Sequence, residues 1–297
     1  MALQQIGVGT SANDNTGDTL RAAFQKVNAN TTDLLLSVTT SANSVFNGVQ
    51  VGKGTLNVAT NTIIGVNAGT TASGGNNLIL GNNAGRVNTT GADNTFVGTA
   101  AGYTNIVGMN NSFFGSGAGQ LNTADGNTFL GTSAGYNTSS GINNTFVGLN
   151  SGVANTIFFN STCLGSGSTV SANNQVNLGN TSITTLRCNV TTITALSDAR
   201  DKTDILEISE GLDFVSKLKP VSFTWNQRDG GRVGIKSTGF IAQDLLALQK
   251  NSLIGDNLDL VSDLDLERLE ARYANLLPIM VKAIQELKAE IEILKAK

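Results

Sequence analysis

The chain has 297 residues and a formal net charge of -3 at pH 7, so it lacks the basic excess typical of a nucleic-acid-binding surface. Histidine is absent, which excludes Ser-His-Asp triads, histidine zinc sites and histidine pH switches. Cys163 and Cys188 are too few for a disulfide framework or a CxxC metal site, so we expect two buried free thiols, no metal and no cofactor.

Charge is unevenly distributed and divides the chain into three regions. Residues 1–45 and 46–196 carry few charged side chains, whereas residues 197–297 carry seventeen of the 22 acidic residues. We expect three segments with boundaries at these positions, and the last of them has the composition of an ordinary globular domain. The first residues lack the basic start and apolar core of a signal peptide, and no apolar run approaches the ~20 residues that span a bilayer. We therefore expect cytoplasmic synthesis and no membrane insertion.

The N-terminal region begins as a loop and continues as a short amphipathic helix. Its apolar positions lie near one helix face, and they are Leu20, Phe24, Val27 and Leu34. The stretch GTSANDNTGDTLRAAFQKVN resembles the openings of many bacteriophage tail-fibre and baseplate-attached proteins. This resemblance implies that residues 1–45 attach the chain to other tail or baseplate proteins, and it gives no chemistry.

The middle region is a tandem repeat with a period of sixteen or seventeen residues. Each copy has two adjacent apolar residues, such as Phe96 and Val97, in a β-prone stretch that ends in glycine. The copies are NTIIGVNAG (61–69), NLILGNNAG (77–85), NTFVGTAAG (94–102), NSFFGSGAG (111–119), NTFLGTSAG (127–135) and NTFVGLNSG (144–152). A degraded copy at 161–169 and a partial copy at 175–180 follow.

The paired apolar residues predict a shaft made of several chains. Adjacent strand residues point to opposite faces, so both faces of each turn are apolar and both have to be covered. A single β-solenoid buries only one of them. We predict a mainly β fold in which a β-solenoid-like shaft packs its second face against identical chains in a homotrimer.

Asparagine and glycine recur at fixed positions in the repeat. Asparagine stands four residues before the glycine in six copies, from Asn61 to Asn144. In stacked turns these amides predict a ladder of hydrogen bonds, and the glycines supply the positive φ that the corners need.

The shaft offers little chemistry of its own. Asp93 and Asp125 are the only acidic residues of region 46–196, and we expect both in turns beside glycines. Glycoside hydrolysis needs two carboxylates close together, so an enzyme that cuts polysaccharide is disfavoured. The polar surface, with Tyr103 and Tyr136, remains a candidate surface for binding a host cell-surface glycan or protein.

The C-terminal region opens with SDARDKTDI (197–205). A serine nucleophile needs a base, and without histidine a neutral lysine can serve. Free lysine has a pKa of about 10.4, so such a base has to be made less basic by its surroundings. A Ser-x-x-x-x-Lys spacing is common by itself, and Ser197 and Asp198 equally suit a turn cap.

Three further motifs follow in order: LDFVSKLKPVSFTWN (212–226), STGFIAQDL (237–245) and LLPIMVKAIQEL (276–287). Together the four motifs resemble the intramolecular chaperone auto-processing domain that ends phage tail spikes and fibres and occurs in some membrane-bound eukaryotic transcription factors. The resemblance spans 197–297 and implies an α+β domain that drives trimerisation and folding.

The same resemblance implies autoproteolysis between Leu196 and Ser197. Ser197 and Lys202 match the catalytic Ser–Lys dyad of the family. Asp198 and Arg200 match the motif as supports that position the cut strand. In this interpretation the chain is an endopeptidase only toward itself, and only once.

The chain ends in a helix with a coiled-coil pattern. The apolar positions advance in alternating steps of four and three, and they are Tyr273, Leu277, Met280, Ile284, Leu287, Ile291 and Leu294. Pro278 is expected to kink or delay this helix, and Ser262 with Asp265 fits a capping box upstream.

These observations favour a homotrimeric phage tail fibre or tail-tip protein, located in the virion tail and assembled in the host bacterial cytoplasm. A repetitive rod specifies the register between its chains only weakly, so the terminal domain is expected to align the three chains. Cleavage then releases this domain. Two alternatives stay open: a fibre that keeps a non-cleaving trimerisation cap, and a polysaccharide depolymerase.

Overall fold

A computed structural model of the chain describes residues 26–27, 44–46, 49–54, 56–152, 157–189, 194–228 and 230–297. These residues divide into two compact units, Met1–Leu178 and Gly179–Lys297, which we call the shaft unit and the C-terminal unit. The predicted N-terminal helix lies outside the described residues, apart from residues 26 and 27, which are helical.

The shaft unit contains one ten-stranded sheet whose strand order follows the sequence. The strands are β1 (Ser44–Phe46), β2 (Val49–Gly52), β3 (Thr62–Gly65), β4 (Leu78–Leu80), β5 (Thr95–Val97), β6 (Ser112–Phe114), β7 (Thr128–Leu130), β8 (Thr145–Val147), β9 (Thr162–Leu164) and β10 (Val176–Leu178). β1, β2 and β3 pair antiparallel, and β3 to β10 pair parallel. Each parallel strand comes from one copy of the repeat, which confirms the predicted mainly β solenoid.

One column of side chains fills the centre of the solenoid. The middle residue of each parallel strand from β3 to β9 is fully buried, and these residues are Ile63, Ile79, Phe96, Phe113, Phe129, Phe146 and Cys163. Neighbouring phenylalanine rings stack with centroids 5.1, 4.8 and 5.0 Å apart. A second buried column is made of alanines, namely Ala68, Ala84, Ala101, Ala118 and Ala134. The two columns belong to one continuous apolar core.

The predicted asparagine ladder is present, with the backbone as its partner. Asn94 Oδ1 accepts a hydrogen bond from the N–H of Asn111 at 3.0 Å, and Asn111 Oδ1 accepts one from the N–H of Asn127 at 2.9 Å. Each amide also donates within the turn, as Asn111 Nδ2 does to the carbonyl of Ala124 at 2.8 Å. The amides thus satisfy buried backbone groups at the corner where each strand begins.

The glycine after each strand is required by close stacking of the turns. Gly98 has a φ of 136°, and a Cβ on it would lie 2.4 Å from the carbonyl oxygen of Gly115 in the next turn. A side chain there would therefore force neighbouring turns apart. The predicted role of these glycines at the corners is confirmed.

The second apolar residue of each strand points away from the core. Leu80, Phe114 and Leu130 are 41%, 42% and 50% exposed, while the middle residues of the same strands are fully buried. A single chain thus covers one apolar face and leaves the other open, as the sequence predicts. The homotrimer itself stays a prediction.

The C-terminal unit combines short helices and two small antiparallel sheets. Its elements are α1 (Leu212–Lys217), β11 (Val221–Asn226), β12 (Val233–Gly239), α2 (Ala242–Lys250), α3 (Gly255–Leu258), β13 (Val261–Ser262), β14 (Glu270–Ala271) and α4 (Leu276–Lys295). β11 pairs with β12, and β13 pairs with β14. The core is formed by Phe214, Leu245, Leu258, Leu260, Val261, Leu276 and Ile279. This is the expected α+β architecture.

The last helix packs one face and exposes another. Ile279 is 2% exposed in the core, whereas the predicted coiled-coil seam is open: Tyr273, Leu277, Met280, Ile284, Leu287, Ile291 and Leu294 are all 42% to 66% exposed. A 3-10 turn at Tyr273–Asn275 precedes α4, and Pro278 lies in the first helical turn, where a missing N–H is tolerated.

Two local predictions were wrong. Ser262 does not cap a helix, because it lies in β13 and the next described helix begins at Leu276. Cys188 is an exposed free cysteine rather than a buried one. Cys163 is buried as expected, and burial raises the pKa of its thiol to about 11.

Candidate functional site

A single 3-10 turn, Ala199–Asp201, organises the start of the SDARDK motif. Asp198 caps this turn, because its Oδ1 accepts a hydrogen bond from the N–H of Arg200 at 2.9 Å. The N–H of Lys202 donates to the carbonyl of Ala199 at 3.2 Å and closes the turn. Asp at the cap position is a common solution for the free N–H groups of such a turn.

The turn brings the predicted dyad together. Lys202 Nζ lies 2.6 Å from Ser197 Oγ and 3.3 Å from the carbonyl oxygen of Ser197. In an extended chain, five residues would separate these side chains by more than ~15 Å. The two residues that the sequence singles out as nucleophile and base are therefore within hydrogen-bonding distance.

Asp198 and Arg200 form an ion pair beside the dyad. Arg200 Nη2 lies 2.6 Å from Asp198 Oδ2, and Arg200 Nε lies 3.0 Å from Oδ1. The hydrogen bond from the Arg200 side chain, followed by the one from its backbone N–H, lowers the pKa of Asp198 below its usual range. The same contact raises the pKa of Arg200. Asp198 and Arg200 therefore stabilise the turn, while Lys202 contacts Ser197 Oγ.

The site is open to solvent in a single chain. Leu196, on the other side of the predicted cut, is 100% exposed, and Ser197 and Lys202 are exposed as well. The peptide bond and the dyad are thus accessible to water and to any surface that packs against this turn.

The two shaft carboxylates have structural partners. Asp93 has a left-handed φ of 57° and accepts a hydrogen bond from Asn76 Nδ2 at 2.9 Å. Asp125 accepts one from the N–H of Met109 at 2.8 Å. Both carboxylates stabilise turns, as the sequence predicts.

On the shaft surface, the ring of Tyr103 has Arg86 as a neighbour. The guanidinium carbon of Arg86 lies 5.8 Å from the ring centroid, and Arg86 Nη1 lies 3.3 Å from the hydroxyl. This pairing adds a cation to the surface that the sequence singles out for host contact.

One residue of the C-terminal unit is invisible to motif analysis. Glu286 on α4 accepts a hydrogen bond from the N–H of Leu212 at 2.7 Å and so satisfies the start of α1. Residues 74 positions apart give no pattern along the chain. From the sequence, a glutamate next to an apolar helix face is expected to point into solvent.

Within the described parts of the chain, no group of three or more Cys, Asp or Glu side chains is placed to hold a metal ion. Over the same residues, no helix has both the length and the apolar character of a membrane span.

Residues 197–253 match the protein family described as the chaperone of endosialidase. The match starts at Ser197, covers the dyad and extends through α2, which is roughly a fifth of the chain. No significant match exists among curated proteins or among solved structures. The matched segment and the β-solenoid before it fit a phage tail fibre with a C-terminal chaperone domain.

Proposed function

We propose that the chain is a homotrimeric tail-fibre or tail-tip protein whose C-terminal region, 197–297, aligns three copies and then cuts itself off before Ser197. The 2.6 Å contact between Lys202 Nζ and Ser197 Oγ carries the cleavage proposal. The family match at 197–253 carries the chaperone proposal.

The geometry supports a simple reaction. Neutral Lys202 accepts the proton of Ser197 Oγ, which attacks the carbonyl carbon of Leu196. Because the nucleophile belongs to the residue just after the scissile bond, attack closes a five-membered ring. The bond to the Ser197 nitrogen then breaks as that nitrogen takes the proton back from Lys202. Water finally hydrolyses the ester that joins Leu196 to Ser197 Oγ and frees both ends.

Solvent exposure of the dyad supports coupling between cleavage and assembly. In water a lysine side chain is mostly charged, and removing water favours the neutral amine that a base requires. Packing of a second copy over this exposed turn would provide that change. The open seam on α4, with Ile284 at its centre, offers a place for copies to meet.

The other regions complete the fibre. Residues 1–45 attach it to other tail or baseplate proteins, and the shaft holds the exposed surface that meets a host cell-surface glycan or protein. Assembly takes place in the bacterial cytoplasm, and the finished fibre belongs to the virion tail.

Intact mass and a denaturing gel test the proposal. The full-length chain should yield two fragments that join at Leu196 and Ser197, and Ser197→Ala should stay in one piece while native mass still counts three copies. Lys202→Arg is the matched control, because arginine keeps the positive charge and the donor but does not become a base.

Three outcomes separate the alternatives. An uncut wild-type trimer removes the protease and leaves a fibre with a retained cap. Cleavage that persists in Ser197→Ala removes the dyad assignment. A monomeric Ser197→Ala chain removes the chaperone role.

A further inference from the structure

The outward apolar residues of the shaft form one continuous row. Each is the in-register partner of the next through the parallel sheet. The row consists of Ile64, Leu80, Val97, Phe114, Leu130, Val147, Leu164 and Leu178. With about 4.8 Å between neighbouring strands, it extends for roughly 34 Å along one face of the unit.

This row has the character of an interface. β3 to β10 contain no charged residue, so the row lies on an uncharged strip beside threonine and other uncharged side chains. Five of its members are between 40% and 50% exposed, namely Leu80, Phe114, Leu130, Leu164 and Leu178. Contiguous apolar strips of this kind mark surfaces that another molecule covers.

The spacing of the row selects its occupant. A partner that matches apolar groups at every ~4.8 Å has to present its own ladder at the same interval. A second copy of this chain, aligned parallel, does so along the whole row. The lack of charge removes any electrostatic preference for a different surface.

The row is almost uniform, and Phe114 breaks the uniformity. The other members are leucine, isoleucine or valine, so a copy displaced by one turn would still meet aliphatic groups of similar size. Phe114 would then face Val97 or Leu130 of its neighbours. Its ring would be overpacked at one level, and at another level the space for a ring would be left unfilled.

We propose that this row is where copies of the shaft pack against one another, and that Phe114 sets their register. The proposal rests on the homotrimer proposed above and deepens it. The C-terminal region aligns the ends of the chains. Phe114 then stabilises the shaft in which the copies are aligned and destabilises one in which a copy is displaced by one turn.

Cross-linking tests the interface. In a Cys188→Ser background, which removes the exposed thiol and leaves Cys163 buried, Leu130→Cys should be linked between copies by a short bifunctional maleimide. Tyr103→Cys, on another surface of the turn, is the matched control and should give no link. A trimer by native mass without links at residue 130 overturns this proposal alone, and a monomer overturns the homotrimer as well.

Mixing tests the register. A double variant, Phe114→Leu with Leu130→Phe, moves the aromatic residue by one turn in every copy. It should assemble with itself, yet mixed trimers with wild type should be depleted several-fold relative to random mixing. A control variant, Val97→Leu with Leu130→Val, exchanges only aliphatic residues and should mix freely. Random mixing of the shifted variant overturns the role of Phe114.

Discussion

The two units of the chain reach stability by opposite routes. In the shaft, a buried residue packs against its own equivalents: Phe129 stacks on Phe113 and Phe146 at 4.8 and 5.0 Å. In the C-terminal unit, the core joins Phe214, Leu245 and Ile279, which are unlike and distant in sequence. Each turn of a repeat adds a similar increment of stability, so the alignment between copies is weakly specified. A core of unlike residues can pack in only one arrangement.

Charge follows the same division. In the shaft, neutral amides such as Asn94 and Asn111 accept hydrogen bonds from buried backbone N–H groups, whereas the C-terminal unit carries exposed ion pairs such as Lys217 with Asp213 and Arg272 with Asp259. An uncharged repetitive surface favours contact with copies of itself. A charged, irregular unit favours one defined fold, which suits the chaperone role proposed for residues 197–297.

The largest expected effect is a loss of stability in the shaft unit that leaves the stability of the C-terminal unit unchanged. Phe129→Ala removes a fully buried ring and should lower the free energy of unfolding of the shaft by about 3–5 kcal/mol. The single tryptophan, Trp225, lies in the C-terminal unit, so its fluorescence reports that unit alone. In denaturant, the β-sheet circular dichroism transition should move while the Trp225 transition stays.

The reciprocal change completes the test. Leu245→Ala should shift the Trp225 transition by about 2–5 kcal/mol and leave the shaft signal. Thr132→Ala, at an exposed turn position three residues after Phe129, is the control, with an effect within about 0.5 kcal/mol. Equal movement of both transitions in Phe129→Ala would show that the units unfold as one.

A smaller effect probes the polar part of the repeat. Asn111→Ala leaves the N–H of Asn127 and the carbonyl of Ala124 without their partners, at a cost of about 1–3 kcal/mol. Hydrogen exchange at the Asn127 amide should speed up accordingly. Asn82→Ala, which removes an exposed amide contact with Asn83, should change neither quantity. Unchanged exchange at Asn127 would contradict the ladder.

The smallest expected effect concerns acid stability of the turn at 197–202. The pKa of Asp198 is lowered, so the folded turn holds its carboxylate more tightly than an unfolded chain does. The stabilisation is therefore present above the ordinary aspartate range, near pH 4, and is lost as pH falls through the lowered value. A carboxyl NMR titration should place the midpoint of Asp198 below that of a free aspartate.

Arg200→Gln supplies the control for that titration. It removes the ion pair, which is the main cause of the shift, so the Asp198 midpoint should rise toward the ordinary value. A midpoint that is the same in both proteins would show that the ion pair does not form in solution.

Much of the fold could be predicted because the same strand and turn pattern occurs in every copy of the repeat. A glycine after two apolar residues marks each strand from β3 to β9, including the degraded copy at Thr162–Leu164, and β10 falls on the predicted partial copy. Such local patterns need no knowledge of distant contacts. The pair Ser197 and Lys202, which one short turn brings together, was expected from the resemblance of the SDARDK motif to a known family and not from its spacing.

The mistakes concern distant contacts. Ser262 has the sequence of a helix cap, but it pairs with Glu270 in a two-residue ladder because the surrounding core places it there. Cys188 was expected to be buried because free thiols usually are, yet it is exposed. Glu286 binds the start of α1 across 74 residues, and no local pattern signals that contact.

The period of the shaft, its strands and its corner glycines could be read from the amino-acid sequence, because each depends on neighbours within one turn of chain. Tertiary structure alone decided which apolar residue of each pair lies inside, as with Phe96 within and Val97 outside. It also decided that the amide ladder bonds to backbone N–H groups and that Ile279 and Ala283 form the buried face of α4. Those outcomes depend on how turns and helices stack, and stacking is a property of the folded chain.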